Sequence, residues 1–496
     1  MILAPTPARR PLVRARGPLR RLAALAVASL CLGALAGCSG GGGGGENGGA
    51  DGADAANASA AGSGADPVLL PRGDQPNTES TSLAEGADGA LHAAYADTDG
   101  RLFYARCDRD CGAFGSWRST VVSDSDADFT VPKLLLAPGD VPILAAHRAD
   151  TFDPGITSVA ACTGDCLSPD GWFSTDVRAH GVAHLQARLE DEAWFALDAE
   201  GRPRMAFVEK DGLVSFDEAR LRLIGCDGNC NDAASWRERD VVTTALQSAT
   251  PASLAVGADG GVAVTVPLKP IGGDVSSLAY LQCTAGNCLD PDAAWSDPLV
   301  LAERADSPFE RNETALALGP DGRPAVALFD DVDPPRLGVR RCVGDCTSAS
   351  GWTVLEVAPA APSGTLRGAG AGVDARFDGA ALELGYVSWR RAAALPDALA
   401  VARCDAACLD GAGSWSATEI ASTAGLVLEP EPICAFVGTA TRGPVSLVGA
   451  GASYTISPQW TCGTDPVEVT DADGNVSIDN AADLRFLEIA AFATGR

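Results

Sequence analysis

Thr314-Ala-Leu-Ala-Leu-Gly-Pro-Asp-Gly-Arg-Pro-Ala-Val-Ala-Leu-Phe329, then Leu337-Gly-Val-Arg-Arg-Cys342-Val-Gly-Asp-Cys346 and Trp352-Thr-Val-Leu-Glu-Val357, reads as one complete structural unit. Ala315-Leu-Ala-Leu318 is a short apolar strand, and Gly319-Pro-Asp-Gly322 supplies the residues a tight turn demands. Pro324-Ala-Val-Ala-Leu-Phe329 is a second strand, apolar enough to be buried on both faces. A third strand runs into Cys342, a short Cys342–Cys346 loop follows, and Trp352 opens a fourth, alternating strand. The unit is therefore four antiparallel strands.

Its signature, Cys, then Cys four or five positions on, then Trp six or seven further, occurs six times. The copies are Cys107/Cys111/Trp117, Cys162/Cys166/Trp172, Cys226/Cys230/Trp236, Cys283/Cys288/Trp295, Cys342/Cys346/Trp352 and Cys404/Cys408/Trp415. Successive first cysteines lie 55, 64, 57, 59 and 62 residues apart, which is the mark of a repeat architecture. First strand and turn recur at Ser82-Leu83 with Asp88-Gly89, at Phe195-Ala-Leu197 with Glu200-Gly201, and at Leu254-Ala-Val256 with Asp259-Gly260. A single four-stranded sheet cannot bury both faces, so the copies must stack. Tandem sandwiches need about 100 residues and seven strands per unit, whereas radially packed four-stranded blades fit both strand count and period.

The expected fold is all-β: a seven-bladed β-propeller over 67–496, with four-stranded antiparallel blades starting near 82, 132, 193, 252, 314, 371 and 432. The seventh unit rests on Cys434-Ala-Phe-Val-Gly438 and Gly443-Pro-Val-Ser-Leu-Val448 as first and second strands, and Leu484-Arg-Phe-Leu-Glu-Ile489 as third. It has no fourth strand of its own. Asp66-Pro-Val-Leu-Leu70 resembles the fourth strand Asp297-Pro-Leu-Val-Leu301, so the N-terminal strand is expected to complete the last blade and close the ring. Residues 450–482 then read as an insertion. The competing reading is six blades with a C-terminal appendage. With its Ser-Leu-Ala-Leu, Asp-Gly-x-Pro, Leu-x-Tyr-Ala-x-Cys and Trp elements, the chain resembles non-catalytic β-propellers of exported bacterial proteins, of the BNR/sialidase-like (WD40/YVTN-like) type. That resemblance speaks to architecture and is silent on activity.

The N-terminus has a separate role. Arg9, Arg10, Arg14, Arg16, Arg20 and Arg21 precede an apolar run from Leu22 to Ala36, the pattern of a secretory signal over 1–37. Leu35-Ala36-Gly37-Cys38 resembles the lipobox of bacterial lipoproteins, which implies cleavage before Cys38 and its acylation. Several acyl chains hold durably where one would not. Ser39, in place of Asp, leans toward the outer membrane. Residues 38–66 carry the lipidated Cys and a Gly/Ala/Ser/Asp tether with six successive glycines at 40–45. Coil scaling gives that tether a span of roughly 30 Å.

The precursor carries a net charge of −28, and removing the six signal arginines makes it −34. Such a charge repels nucleic acid and excludes a phosphate-backbone partner. Sixteen cysteines are present. With Cys31 lost and Cys38 lipidated, twelve form the six close pairs named above, and Cys434 and Cys462 remain. Disulfides are expected in an exported chain, and each close pair lacks the further ligands zinc requires. Cys434–Cys462 would tie down the 450–482 stretch.

No constellation names a chemistry. Sialidase-type enzymes need a Tyr nucleophile, but Tyr95, Tyr104, Tyr280, Tyr386 and Tyr454 are the only tyrosines and at least three fall in predicted strands. Ser168-Pro-Asp-Gly-Trp172 has the residue types of an Asp-box at the wrong spacing. His180-Gly-Val-Ala-His184 has no Glu between its histidines. The alternations Asp124, Asp126, Asp128 and Asp471, Asp473, Asn475, Asp479 offer hard oxygens suited to calcium. Val476 stands where a calcium loop needs Gly, which favours solvated turns and no cofactor. The expected function is an envelope-anchored binding or scaffold module for a protein or glycan. An envelope hydrolase or lyase with an unrecognised site is the alternative.

Overall fold

A computed structural model describes residues 68–69, 78–97, 101–111, 114–124, 128–149, 156–179, 194–210, 219–244, 253–268, 275–284, 286–305, 314–330, 336–357, 372–388, 398–411, 413–422, 434–449, 451–462, 467–470, 476–479, 483–486 and 489–494. The calls on residues 1–66, His180, His184 and Asp126 lie outside them.

The turn chemistry read from the sequence sets each blade. Gly89, Gly139, Gly201, Gly260, Gly322 and Gly379 all adopt positive φ between first and second strands, a conformation that costs a glycine nothing. The turn Asp locks it: Asp88 Oδ1 accepts the Ala90 amide at 2.9 Å, and Asp321 Oδ1 accepts that of Arg323 at 3.1 Å. The six antiparallel sheets follow in chain order. Blade one is Thr78–Glu85, Leu91–Asp97, Arg101–Cys107 and Trp117–Asp124. Blade two is Asp128–Ala137, Val141–Ala149, Ile156–Cys162 and Trp172–Ala179. Blade three is Phe195–Leu197, Pro203–Lys210, Ala219–Cys226 and Trp236–Thr244. Blade four is Ser253–Val256, Val262–Leu268, Val275–Cys283 and Leu299–Ala305. Blade five is Thr314–Leu318, Pro324–Asp330, Arg336–Cys342 and Trp352–Glu356. Blade six is Val373–Asp378, Ala381–Ser388, Ala398–Cys404 and Ser416–Ser422.

Third and fourth strands slip register by one residue at Leu102/Phe103, Thr157/Ser158, Leu221/Arg222, Leu278/Ala279 and Leu399/Ala400. A bulge there raises the local twist that a radial sheet needs toward its rim. Apolar clusters fill the gaps between successive blades. Tyr104, Leu134 and Leu144 join blades one and two, Val208, Leu254 and Leu281 join three and four, and Tyr280 and Leu328 join four and five.

The protein is thus an all-β β-propeller with four-stranded antiparallel blades, and the blade count is six, not seven. The C-terminal residues do not repeat the unit. Where two short strands and a turn were expected, Cys434–Val448 is one 15-residue strand. Thr439-Ala-Thr-Arg-Gly-Pro444 does not turn the chain back. One register shift precedes it at Phe436/Gly438, Thr439 to Arg442 stay in register, and Pro444, which lacks an amide proton, falls in the second irregularity at Arg442/Ser446. The 450–482 stretch read as an insertion supplies the sheet's next strand, Gly451–Cys462. That strand pairs with both Asp483–Phe486 and Ile489–Thr494, so the expected single strand at 484–489 is two. The resulting five-stranded sheet includes Val68–Leu69, whose register partners are Phe492 and Ala491. It packs against the first strands of both blade one and blade six.

Candidate functional site: the turn face and its interblade clefts

One face of the ring carries every described Asp-Gly turn and every Cys loop, because both sit at the same end of the second and third strands. The connections at the opposite end fall outside the described residues.

The six close pairs, Cys107–Cys111, Cys162–Cys166, Cys226–Cys230, Cys283–Cys288, Cys342–Cys346 and Cys404–Cys408, are disulfides with Cα separations of 5.3–5.9 Å. The motif's Trp explains itself in this setting. Trp117, Trp172, Trp236 and Trp352 each donate Nε1–H to the carbonyl of the second Cys at 3.0 Å. Each of these four first cysteines is the register partner of its Trp. The disulfide and the indole close the loop from two sides. In blade four the loop is one residue longer, and the buried Trp295 Nε1 has no partner. The ring faces serve packing: Tyr104 meets Trp172 edge-on at 5.0 Å, and Tyr280 meets Trp352 likewise at 4.9 Å. These indoles are therefore committed to blade contacts. Tyr95, Tyr104, Tyr280 and Tyr386 are fully buried in strands, a poor place for a nucleophile.

A second repeated device was not read from the sequence. The residue before the third-strand Cys is Arg in blades one, five and six, and it reaches the Asp of its own blade's turn. Arg106 meets Asp88 at 3.2 Å, Arg341 meets Asp321 at 3.0 Å, and Arg403 meets Asp378 at 2.8 Å. In blade three that position is Gly225, and Arg204 of the second strand takes the space, pairing with Asp198 and Asp227 at 2.9 Å each. The signal was an Arg-Cys dipeptide recurring some twenty residues after an Asp-Gly turn. Each clamp holds turn and Cys loop together. Burial pulls the Asp321 carboxyl upward, but the Arg323 amide and the Arg341 guanidinium outweigh it and hold the group below its ordinary value.

Between neighbouring blades the same face opens into clefts. One, of about 230 Å³ between blades four and five, is lined by Asp259, Tyr280, Gln282, Thr284 and Leu318. Another, of about 250 Å³ between blades five and six, is lined by Asp321, Arg323, Arg341, Val343, Phe377 and Asp410. Arg341 lies over the Phe377 ring at 5.1 Å, so the guanidinium forms part of the floor.

The other sequence candidates fall elsewhere. Cys434 and Cys462 are direct register partners, but their side chains are outside the described residues, as are those of Asp124 and Asp128. Asp471, Asp473 and Asn475 lie outside the described residues, between the paired strands Val467–Thr470 and Val476–Asp479, and the side chain of Asp479 is likewise not described. Among the described residues no cluster of His, Cys, Asp and Glu is arranged to hold a metal ion, and no helix is long and apolar enough to cross a membrane. No protein-family model matches this sequence, and no curated protein matches it. Among solved structures, a Dyadobacter fermentans protein of unknown function is similar at 13% identity and a TM-score of 0.45, covering 68% of this chain and 97% of its own. The GH93 α-L-arabinofuranosidase of Fusarium graminearum, solved with arabinobiose, is similar at 10% identity and 0.37, over 86% and 96%. A PL25 ulvan lyase is similar at 12% and 0.38, over 80% and 92%. Likenesses of this degree concern the fold and not an activity.

Proposed function

We propose that this protein is an exported, lipid-anchored binding module that uses the turn face of its propeller to hold a glycan or protein of the cell envelope. The observation that carries this reading is a cleft seen twice: hollows between blades four and five and between blades five and six, each walled by a turn and a disulfide-closed Cys loop. Rigid, preformed hollows bind without the cost of ordering the site. Two neighbouring hollows on one face also suit a multivalent ligand, for which weak contacts add through effective concentration. Cys38 would anchor the mature chain to the outer membrane, and the 38–66 tether would let the ring stand off the bilayer. The strongly negative charge disfavours nucleic acid as a partner. Calcium at Asp471, Asp473, Asn475 and Asp479 remains a secondary reading carried by ligand spacing alone.

Incubating the purified protein with envelope polysaccharides and oligosaccharides, and following both retention and products, tests the reading. Retention with the ligand recovered intact is the expected result. Release of new reducing ends or of unsaturated uronates would make the protein a hydrolase or lyase instead.

A further inference from the structure

We infer that the cleft between blades five and six takes one residue of a neutral glycan; this rests on the binding reading above and names its ligand. The geometry of the cleft is two-sided. Pro320, Val343, Phe377 and Leu409 supply an apolar surface, with Val343 42% exposed at its rim. Polar groups stand at the edge: Asp321 and Arg323 on the blade-five turn, and Asp410 beyond the short helix Ala406–Leu409 of the blade-six Cys loop.

A sugar ring matches that division. It has an apolar C–H face suited to an aromatic or aliphatic floor and a rim of hydroxyls that donate and accept at once. Carboxylates and a guanidinium at the edge answer such hydroxyls, whereas a purely apolar ligand would leave them desolvated without partners. The size agrees, because about 250 Å³ is below the span of drug-sized pockets and suits a single ring.

Charge selects a neutral ring. Two acidic and two basic side chains line the cleft, so they cancel, and Arg341 is already engaged by both Asp321 oxygens at 3.1 and 3.0 Å. Arg323 stands 4.0 Å from the same Asp321, so the cleft holds no net positive charge to reward an anionic sugar, and the net charge of the whole chain repels acidic polymers. The blade-four cleft repeats the division in milder form. Leu318 takes the place of Phe377, Asp259, Gln282 and Thr284 form the polar side, and no basic side chain lines it.

The test uses the full mature chain and a panel of neutral oligosaccharides (gluco-, manno-, xylo- and arabino-oligomers) with oligogalacturonate as the acidic comparison, read by titration calorimetry. Val343→Arg and Ala380→Arg place bulk at the cleft mouth from exposed positions, and Val354→Arg on the outer strand of blade five serves as control. The expected result is binding of a neutral oligomer that weakens about tenfold or more in both cleft variants, as lost ring contacts would cause, and is unchanged in Val354→Arg. Equal affinity in wild type and both cleft variants would overturn the site while leaving the binding reading intact. Binding only of oligogalacturonate, or of no oligomer while an envelope protein is held, would overturn the ligand assignment. Conversion of any oligomer would overturn the binding reading itself.

Discussion

The Ser446 hydroxyl accepts the Leu83 amide at 2.9 Å and donates to the Leu83 carbonyl at 3.3 Å, across 363 residues of chain. One side chain thus satisfies both polar groups of a buried residue on the first strand of blade one. Blade six is tied on the other side, where Asp374 Oδ2 accepts the Leu447 amide at 2.8 Å. The same kind of tie links other neighbours: Ser82 Oγ accepts the Leu134 amide at 3.0 Å. The C-terminal sheet therefore holds the first and last blades by the means the blades use between themselves. Replacing Ser446 with Ala leaves the Leu83 amide buried and unpaired, and we expect a loss of about 1–3 kcal/mol in chemical denaturation. A variant as stable as the parent would show that the tie is incidental.

The pairing of Val68 with Phe492 makes the N-terminal strand part of the same sheet. Deleting residues 66–70 should lower the melting temperature of the whole propeller, since it bares the edge of the last sheet. Deleting 39–60, a stretch whose composition offers nothing to pack, should leave the melt unchanged. Identical melts for both deletions would refute a closing role for the strand.

His92 is 1% exposed, its Nδ1 is 2.7 Å from the Tyr104 hydroxyl, and its Nε2 has no partner. Burial, then the Arg106 charge, lower its pKa below 6.5, while Asp88, Asp140 and Asp108 oppose them. The unfolded chain accordingly takes up this proton first. The His92 contribution is fully present above pH 6.5 and is lost as pH falls from there toward the folded value, with a slope of at most about 1.4 kcal/mol per pH unit. His92→Gln should flatten the stability–pH curve between neutral and mildly acidic pH, and an unaltered slope would assign it to other groups.

Gly171 occupies the only space its loop allows. A Cβ there would strike the Asp165 carbonyl oxygen, and Gly351 stands in the same relation to Asp345 in blade five. Blade three has Ser235 at this place, and its bridging bond from the Asp227 amide lengthens to 3.5 Å, against 2.8 Å for Thr163 to Gly171. Gly171→Ala should cost about 1–3 kcal/mol through forced backbone shifts. Hydrogen exchange should speed up in that Cys loop alone, and protection loss spread across blade two would contradict a local role.

Cys38→Ala tests the anchor. We expect the protein to move from the membrane fraction to the soluble one with its disulfides intact, and unchanged fractionation would dismiss acylation at Cys38.

The sequence by itself determined the blade. Asp88-Gly89 or Asp321-Gly322 specifies a turn through local backbone energetics, the first Cys and the Trp of five copies pair across a single hairpin, and the 55–64-residue period forces stacking. All of these depend on contacts within one unit, which patterning records. The tertiary structure decided what happens between units. Arg204 filling the space left by Gly225, Ser446 reaching Leu83, and Val343 sharing a cleft with Phe377 and Asp410 join residues far apart in the chain, and no local pattern encodes those distances. The blade count failed for the same reason. Cys434–Val448 has the residues of two strands and a turn, but pairing along the whole of Gly451–Cys462 rewards one long strand and overrides the local turn signal.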